Sequence, residues 1–266
     1  MNIFAGTSGW SYEQWVDAIY PHGLRPSQYL KYYSTRYNAV EIDSTFYRIP
    51  DDKTILKWIK STGGNFKFCP KMFRKVTHDM KLENTGEVID DFIKNISSLG
   101  KKLGIILIQM PPTLKFKNIK LIKDFIGYLP HGFKFTFEFR DNSWFKDEIS
   151  SILRDYGIGI AWADTPFINK HYELTGNFLY LRLVGDRTIQ ESNFGRTSIF
   201  RDVQIEEWVK KIEEVSGRIE SAFIFANNHY EGYAPRTIDL LMTKLGISNH
   251  DFIDRKNHED YQGKLF

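Results

Sequence analysis

Carboxylates, cations and side-chain amides fall at the ends of short apolar runs in this chain, at spacings that give them shared faces. Glu41 and Asp43 lie two apart at the end of AVEIDS (39–44), and Glu138 and Arg140 two apart at the end of FKFTFEFR (133–140). Residues two apart in an extended strand point to the same side. By that rule Lys71 shares a face with Cys69, Asp164 with Trp162, and Arg182 with Tyr180. Other runs end on Gln109 and on the pair Asn227 and Asn228. Carboxylates set among fixed cations are the arrangement that drives pKa values apart for acid and base roles. Glu41, Glu138 and Asp164 are therefore the candidate catalytic groups, as general acids and bases or as metal-ligand oxygens. Lys71, Arg140 and Arg182 would hold negative charge developing on a phosphate, and Gln109, Asn227 and Asn228 would orient the substrate. The plainer alternative is a structural ion-pair network, for which Glu138–Arg140 and Asp164–Arg182 are natural pairs.

Something must bring these ends together. Eight apolar runs (3–8, 39–44, 66–71, 103–109, 133–140, 158–164, 178–183 and 221–228) alternate with segments of mostly helical period. After Asn84, with Glu87 placed for a capping box, the apolar positions Val88, Ile89, Phe92, Ile93, Ile96 and Leu99 lead to Gly100. Ile205, Trp208, Val209, Ile212 and Val215 form a second stripe, and similar stripes precede Gly157 and Gly246. Shorter helices are expected at 26–37, 51–61 and 118–128, while Pro166, Asn169 and Gly176 leave little room for one at 165–177. A strand, a polar tip and a helix, repeated eight times, predict a single-domain α/β protein of the TIM-type (β/α)8 barrel class. In that fold the C-terminal strand ends carry the chemistry. The length of 266 residues is close to the roughly 250 typical of one such barrel. The expected division is a barrel over 1–248 and a short charged tail over 249–266. An open doubly wound sheet is disfavoured, because GTSGW (6–10) lacks the third glycine of the dinucleotide fingerprint.

The formal charge of +3, from 36 Lys and Arg against 33 Asp and Glu, is too small to predict nucleic-acid binding by the whole surface. Any such surface must be local. Single Cys69 excludes an internal disulfide and a cysteine-based zinc site, and reads as a small buried residue. No apolar run approaches the ~20 residues needed to span a bilayer, and the chain starts on a strand without a basic-then-apolar leader. A cytoplasmic protein with no membrane partner is the expectation.

Of seven histidines only His78 and His229 fall just after strand ends. A divalent metal would need one of them with Glu41, Glu138 or Asp164, or an oxygen-rich magnesium site from those three acids. No close histidine pair advertises it, and no cofactor is assigned. Ser8 and Ser44 lack a nucleophile-elbow context. The loop KMFRKVTHDMK (71–81) carries Lys71, Arg74, Lys75, His78 and Lys81, and the stretch after 183 carries Arg187, Arg196 and Arg201. Both suit an anionic ligand, and barrels often hold phosphate in the latter region. Aromatic residues crowd the same rim: Trp10, Tyr12, Trp15, Phe46, Tyr47, Trp144, Phe145 and Tyr230. They would stack on bases or sugars, or pack loops onto the strands.

The strings GTSGWSY (6–12), VEIDSTFYRIP (40–50), FCPKMFRKVTH (68–78), LIQMPP (107–112), FEFRDNSWF (137–145), YLRLVG (180–185) and FANNHYEGYAP (225–235) occur in order. Together they resemble the domain-of-unknown-function 72 (YecE-like) family. The resemblance implies a TIM-type barrel and supplies no reaction. The family commonly has histidines where this chain has Asp141 and Val184, so a mechanism needing those imidazoles does not carry over.

The chain ends QGKLF (262–266) after a charged stretch. Gln-x-x-Leu-Phe resembles the peptide by which bacterial proteins bind the DNA sliding clamp, with Leu265 and Phe266 as apolar anchors and Gln262 as the hydrogen-bonding residue. The leading expectation is a hydrolase-like barrel enzyme on a phosphorylated or nucleic-acid substrate, recruited to DNA through this peptide. The alternatives are a small-molecule enzyme on a sugar or organic acid, and a non-catalytic binding module.

Overall fold

The structure is a computed structural model and describes residues 1–247. Its strands are β1 (Asn2–Thr7), β2 (Ala39–Ile42), β3 (Lys67–Pro70), β4 (Ile105–Gln109), β5 (Lys134–Glu138), β6 (Gly159–Ile160), β7 (Trp162–Asp164), β8 (Phe178–Leu183) and β9 (Ser221–Ala226). Every ladder between them is parallel. The fold is α/β, with three parallel sheets in the orders β1-β9-β8-β7, β2-β3 and β4-β5-β6. The ladders do not form one closed sheet of eight. Isolated bridges join neighbouring sheets at Ser8–Glu41, Phe68–Leu103 and Lys71–Leu107. The run expected as one strand over 158–164 divides at Ala161, with β6 pairing to β5 and β7 to β8.

The helices are α1 (Tyr29–Tyr33), α2 (Ser44–Tyr47), α3 (Asp52–Lys60), α4 (Gly86–Ile96), α5 (Ile119–Gly127), α6 (Asp147–Asp155), α7 (Asp202–Val215), α8 (Asn228–Glu231) and α9 (Ala234–Lys244). The α7 stripe from Ile205 to Val215 is buried, as its 3.6-residue period predicts. No helix forms over 165–177. The helix expected over 26–37 shrinks to a 3-10 turn and the single α-helical stretch of α1. The capping box at Asn84 does not form. Asn84 is left-handed (φ 53°), Thr85 occupies the N-cap, and no side chain caps the helix.

Apolar residues gather in one inner and two outer clusters. The inner one joins Ala39, Cys69, Ile105, Leu107, Ala161, Phe178, Tyr180, Phe223 and Phe225. Size complementarity sets which strand face turns inward. The rings of β8 and β9 fill space left by small residues elsewhere, and a Cβ on Gly159 would collide with the Phe178 ring. Outside, Leu179 and Leu181 belong to one cluster with Ile205, Trp208 and Leu241. Ile106, Ile108 and Phe137 belong to the other, with Phe92, Phe125 and Ile149.

The β1–β2 seam is held by side chains rather than by a ladder. The Asn38 amide accepts from Ala5 N and donates to Ile3 O, both at 2.8 Å, so it mimics a strand backbone. Tyr33 OH accepts from Thr7 N at 2.8 Å and donates to Ala39 O at 3.1 Å. Gly6 permits this close approach, since a Cβ there would overlap the Ala39 carbonyl. Among the described residues no helix is long and apolar enough to cross a membrane. The peptide containing Gln262, Leu265 and Phe266 lies outside the described residues.

Candidate functional site

Arg182, near the end of β8, is the hub of the polar interior. It is 4% exposed and meets two fully buried carboxylates. Nε donates to Glu41 Oε2 at 2.8 Å and Nη2 to Glu41 Oε1 at 2.6 Å, a bidentate pairing, while Nη1 donates to Glu138 Oε2. Glu41 also accepts from Ser8 Oγ at 2.7 Å and Tyr180 OH at 2.8 Å. Those four bonds fill the acceptor sites of its two oxygens. Glu41 is therefore committed to holding Arg182 and has no free lone pair for a proton or a metal.

Glu138 keeps more freedom. Oε2 also accepts from Gln109 Nε2 at 2.8 Å. Oε1 lies 2.7 Å from Arg140 Nε, but the N–H points off line, so the contact is one of charge rather than a hydrogen bond. Burial alone would raise the Glu138 pKa. Arg140, Arg182 and the Gln109 amide outweigh it and hold the group at about 2. Burial likewise opposes the charge on Arg182, and the two carboxylates override it to push its pKa well above the usual value. Glu138 and Glu41 thus serve as fixed anions beneath a fixed cation.

Above this layer opens a cavity of about 620 Å³. Lys71, Gln109, Arg140, Arg182 and Asn227 line it from the strand ends. Asp43, Tyr12, Tyr47, Arg187, Glu191, Phe194 and His229 line it from the loops. Glu41 and Glu138 do not reach it. No acceptor among the described residues engages the terminal nitrogens of Arg140, and burial followed by the neighbouring charges of Arg182 and Arg187 lowers its pKa against the pull of Glu138. The His229 Nδ1 faces the Ile189 carbonyl at 3.0 Å, so that nitrogen must donate, leaving Nε2 as the acceptor. Burial lowers the His229 pKa.

Several expected residues are placed elsewhere. Asp164 shares its face with Trp162, as expected, but that face turns outward: Trp162 packs near Trp208 of α7. Asp164 Oδ2 accepts from Trp208 Nε1 at 2.6 Å and Tyr230 OH at 2.8 Å, with Lys170 Nζ at 3.5 Å. The pair Asp164–Arg182 is not formed, because Ala161 rather than Trp162 joins the inner cluster at this position. Asn228 accepts from Trp15 Nε1 at 3.2 Å and Ala234 N at 3.0 Å, pinning a loop, while its neighbour Asn227 faces the cavity.

Arg74 pairs with Asp79 at 3.1 Å and His78 packs edge-on to Phe46; neither lines the cavity. Arg201 lies 3.7 Å from Asp186, and Arg196 donates to Asn193 at 2.7 Å. Most of the rim aromatics pack loops, with Trp15, Trp144 and Tyr230 fully buried, and Tyr12 and Tyr47 alone of that set line the cavity. Sequence reasoning missed Ser8 and Tyr180 as partners of Glu41, and Glu191 and Phe194 on the cavity wall. Loop residues of this kind carry no periodic signal. Among the described residues no group of three or more His, Cys, Asp and Glu side chains is placed to hold a metal ion.

A family model described as "Protein of unknown function DUF72" matches residues 4–262. The chain belongs to the DUF72 family. It is similar to UPF0759 protein YecE of Escherichia coli K12, 27% identical over 143 residues, which is 54% of this chain and about half (50%) of that protein's length. It is also similar to UPF0759 protein YunF of Bacillus subtilis, 24% identical over 291 aligned positions covering 90% of this chain and 99% of that protein. Among solved structures, a DUF72 family protein from Thermotoga maritima superposes with a TM-score of 0.81 at 26% identity, covering 92% of this chain and 100% of that one. One from Enterococcus faecalis gives 0.77 at 17% identity, covering 92% and 96%. The motifs quoted for the resemblance therefore identified the family, and the family carries a fold without an assigned reaction.

Proposed function

We propose that the cavity of this DUF72 protein binds and acts on a small anionic ligand, a phosphorylated or carboxylated compound of about mononucleotide size. The observation that carries the reading is the layering of charge. The carboxylates of Glu41 and Glu138 are engaged below Arg182, while Arg140 and Lys71 line the cavity above. A cation held rigidly by buried anions is preorganised for an incoming anion, so binding costs little reorganisation. Arg140 and Arg182 take the anionic group, Asn227 and Gln109 orient it, and Tyr12, Tyr47 and Phe194 offer ring faces to the remainder. The roles of Glu41 and Glu138 shift from proton transfer to holding the arginines, and Asp164 becomes a brace between β7, α7 and α8.

The cavity volume of about 620 Å³ falls within the roughly 300–1,000 Å³ of small-molecule sites. That supports a small ligand over a nucleic-acid strand, as does the internal pairing of Arg74 with Asp79. The same reading takes residues 1–248 as one (β/α)8 barrel. Its supports are the three inter-sheet bridges, the junction at Ala161 and the Asn38–Tyr33 seam. A thermal-shift panel of phosphomonoesters, diphosphates, di- and tricarboxylates and neutral sugars tests the pocket. At about a hundred times Kd, the fitting anion should raise Tm by about 5 °C or more, and its neutral analogue should not. Equal shifts with neutral sugars, or no shift with any anion, would overturn the reading.

A further inference from the structure

We propose that Lys71 is a nucleophilic amine that captures the carbonyl carbon of an anionic aldehyde, ketone or 2-oxo acid as an imine. The inference rests on the anion pocket proposed above and names the substrate class for it.

Two interior lysines make the contrast that points there. Lys102 Nζ donates to Ile59 O at 2.8 Å, Thr62 O at 2.7 Å and Thr62 Oγ1 at 2.9 Å, so all three of its protons are used structurally. Lys71 is only 8% exposed, yet its Nζ makes no hydrogen bond among the described residues. Its nearest carboxylate is Asp43 at 3.7 Å, and the nitrogen stands over the face of the Phe46 ring, 4.2 Å from its centroid, a cation–π contact. With no protein acceptor within hydrogen-bond distance among the described residues, the nitrogen is left to whatever occupies the cavity that Lys71 lines. Burial lowers the Lys71 pKa, Asp43 opposes this, and Arg182 adds to the lowering. Lys71 also lines the same cavity as Arg140, which would grip a phosphate or carboxylate on the same molecule.

The step balances without any redox partner. The Nζ lone pair forms the N–C bond while the carbonyl π pair moves to oxygen. A proton passes from nitrogen to that oxygen, giving a carbinolamine. Protonation of the hydroxyl and formation of the nitrogen–carbon π bond then expel one water, leaving the protonated imine, which becomes neutral on returning that proton to Asp43 or water. Asp43 is the residue placed to relay the proton between nitrogen and oxygen. Readdition of water reverses the sequence and frees the ligand.

Pyridoxal 5′-phosphate is a suitable probe, since it joins an aldehyde to a phosphate. The full chain is incubated with it, reduced with borohydride, and mapped by peptide mass spectrometry. Lys71 should be labelled about tenfold faster than any other lysine. Inorganic phosphate should protect it, and pyridoxal without the phosphate should lose the preference. Lys71→Arg should abolish the adduct while still binding phosphate, which checks that the variant is folded. Asp43→Asn should slow labelling without abolishing phosphate binding. Labelling spread evenly over surface lysines, with phosphate still bound in the cavity, overturns the imine role and leaves the anion pocket standing. Absence of phosphate binding as well would remove both.

Discussion

Replacing Arg182 with methionine is expected to remove about 3–5 kcal/mol of folding stability near neutral pH. The substitution keeps a long apolar stem but leaves Glu41 and Glu138 buried without their shared cation. Glu138 would retain Arg140 and Gln109, whereas Glu41 would retain only the hydroxyls of Ser8 and Tyr180. A buried carboxylate such as Glu138 that loses a counter-ion is more readily protonated, so the penalty depends on pH. In the native protein Glu138 is depressed from 4.5 to about 2. Its contribution is therefore complete above about pH 4.5 and is lost as the pH falls towards about 2. In the variant Glu138 has lost one of the cations that hold its pKa down, so its folded-state pKa rises and less of that stability remains to be lost in acid. The stability gap between native protein and variant should therefore narrow as the pH falls from about 4.5 towards about 2 in urea unfolding. A gap independent of pH over that range would contradict the assignment of Glu138 as an anion held by Arg182.

Replacing Arg140 with methionine should act on binding more than on folding. Affinity for the anion identified by the thermal-shift panel is expected to fall about a hundredfold, or about 3 kcal/mol, as two charge-assisted hydrogen bonds are lost. The stability cost should be clearly smaller than for Arg182, because Glu138 keeps its bonds from Arg182 and Gln109. Isothermal titration calorimetry on the folded variant separates the two effects. A variant that binds as tightly as the native protein would show that the ligand does not seat against Arg140.

Alternation along single strands was enough to find Lys71, Gln109, Arg140 and Arg182, because each follows an inward-facing position. Cys69, Leu107 and Tyr180 lie in the inner cluster, and Glu138 is buried against Arg182. The same rule misplaced Asp164, and the reason is steric. In IGIAWAD (158–164) the small residues Gly159, Ala161 and Ala163 occupy one face and Ile158, Ile160 and Trp162 the other. The small face turns inward because Phe178 and Phe225, on strands later in the chain, already fill the interior. That choice depends on volume contributed across strands, which no single strand displays.

The pairing of both acids with Arg182 has a similar origin. Glu41 and Arg182 are 141 residues apart on strands of two different sheets, β2 and β8, so their bidentate pairing follows from how those sheets meet rather than from local spacing. Asn227 and Asn228 were indistinguishable as a pair. The chain turns into α8 at this point, where Asn227 Oδ1 accepts from His229 N at 3.0 Å, and that turn sends Asn228 back against Trp15. Glu191 and Phe194 reach the cavity from a loop whose path no hydrophobic period records.

The predicted seat of the anion is Arg140 and Arg182, over carboxylates that stay engaged beneath them. Its most direct test is a crystal structure of the protein soaked with the phosphomonoester that best raises Tm, from crystals grown without sulfate, phosphate or carboxylate buffers. The phosphate is expected within hydrogen-bond distance of the Arg140 terminal nitrogens and of Arg182, with the Glu41–Arg182–Glu138 pairing unchanged. A phosphate bound away from these arginines, or Glu41 released from Arg182 to ligate a metal, would contradict it.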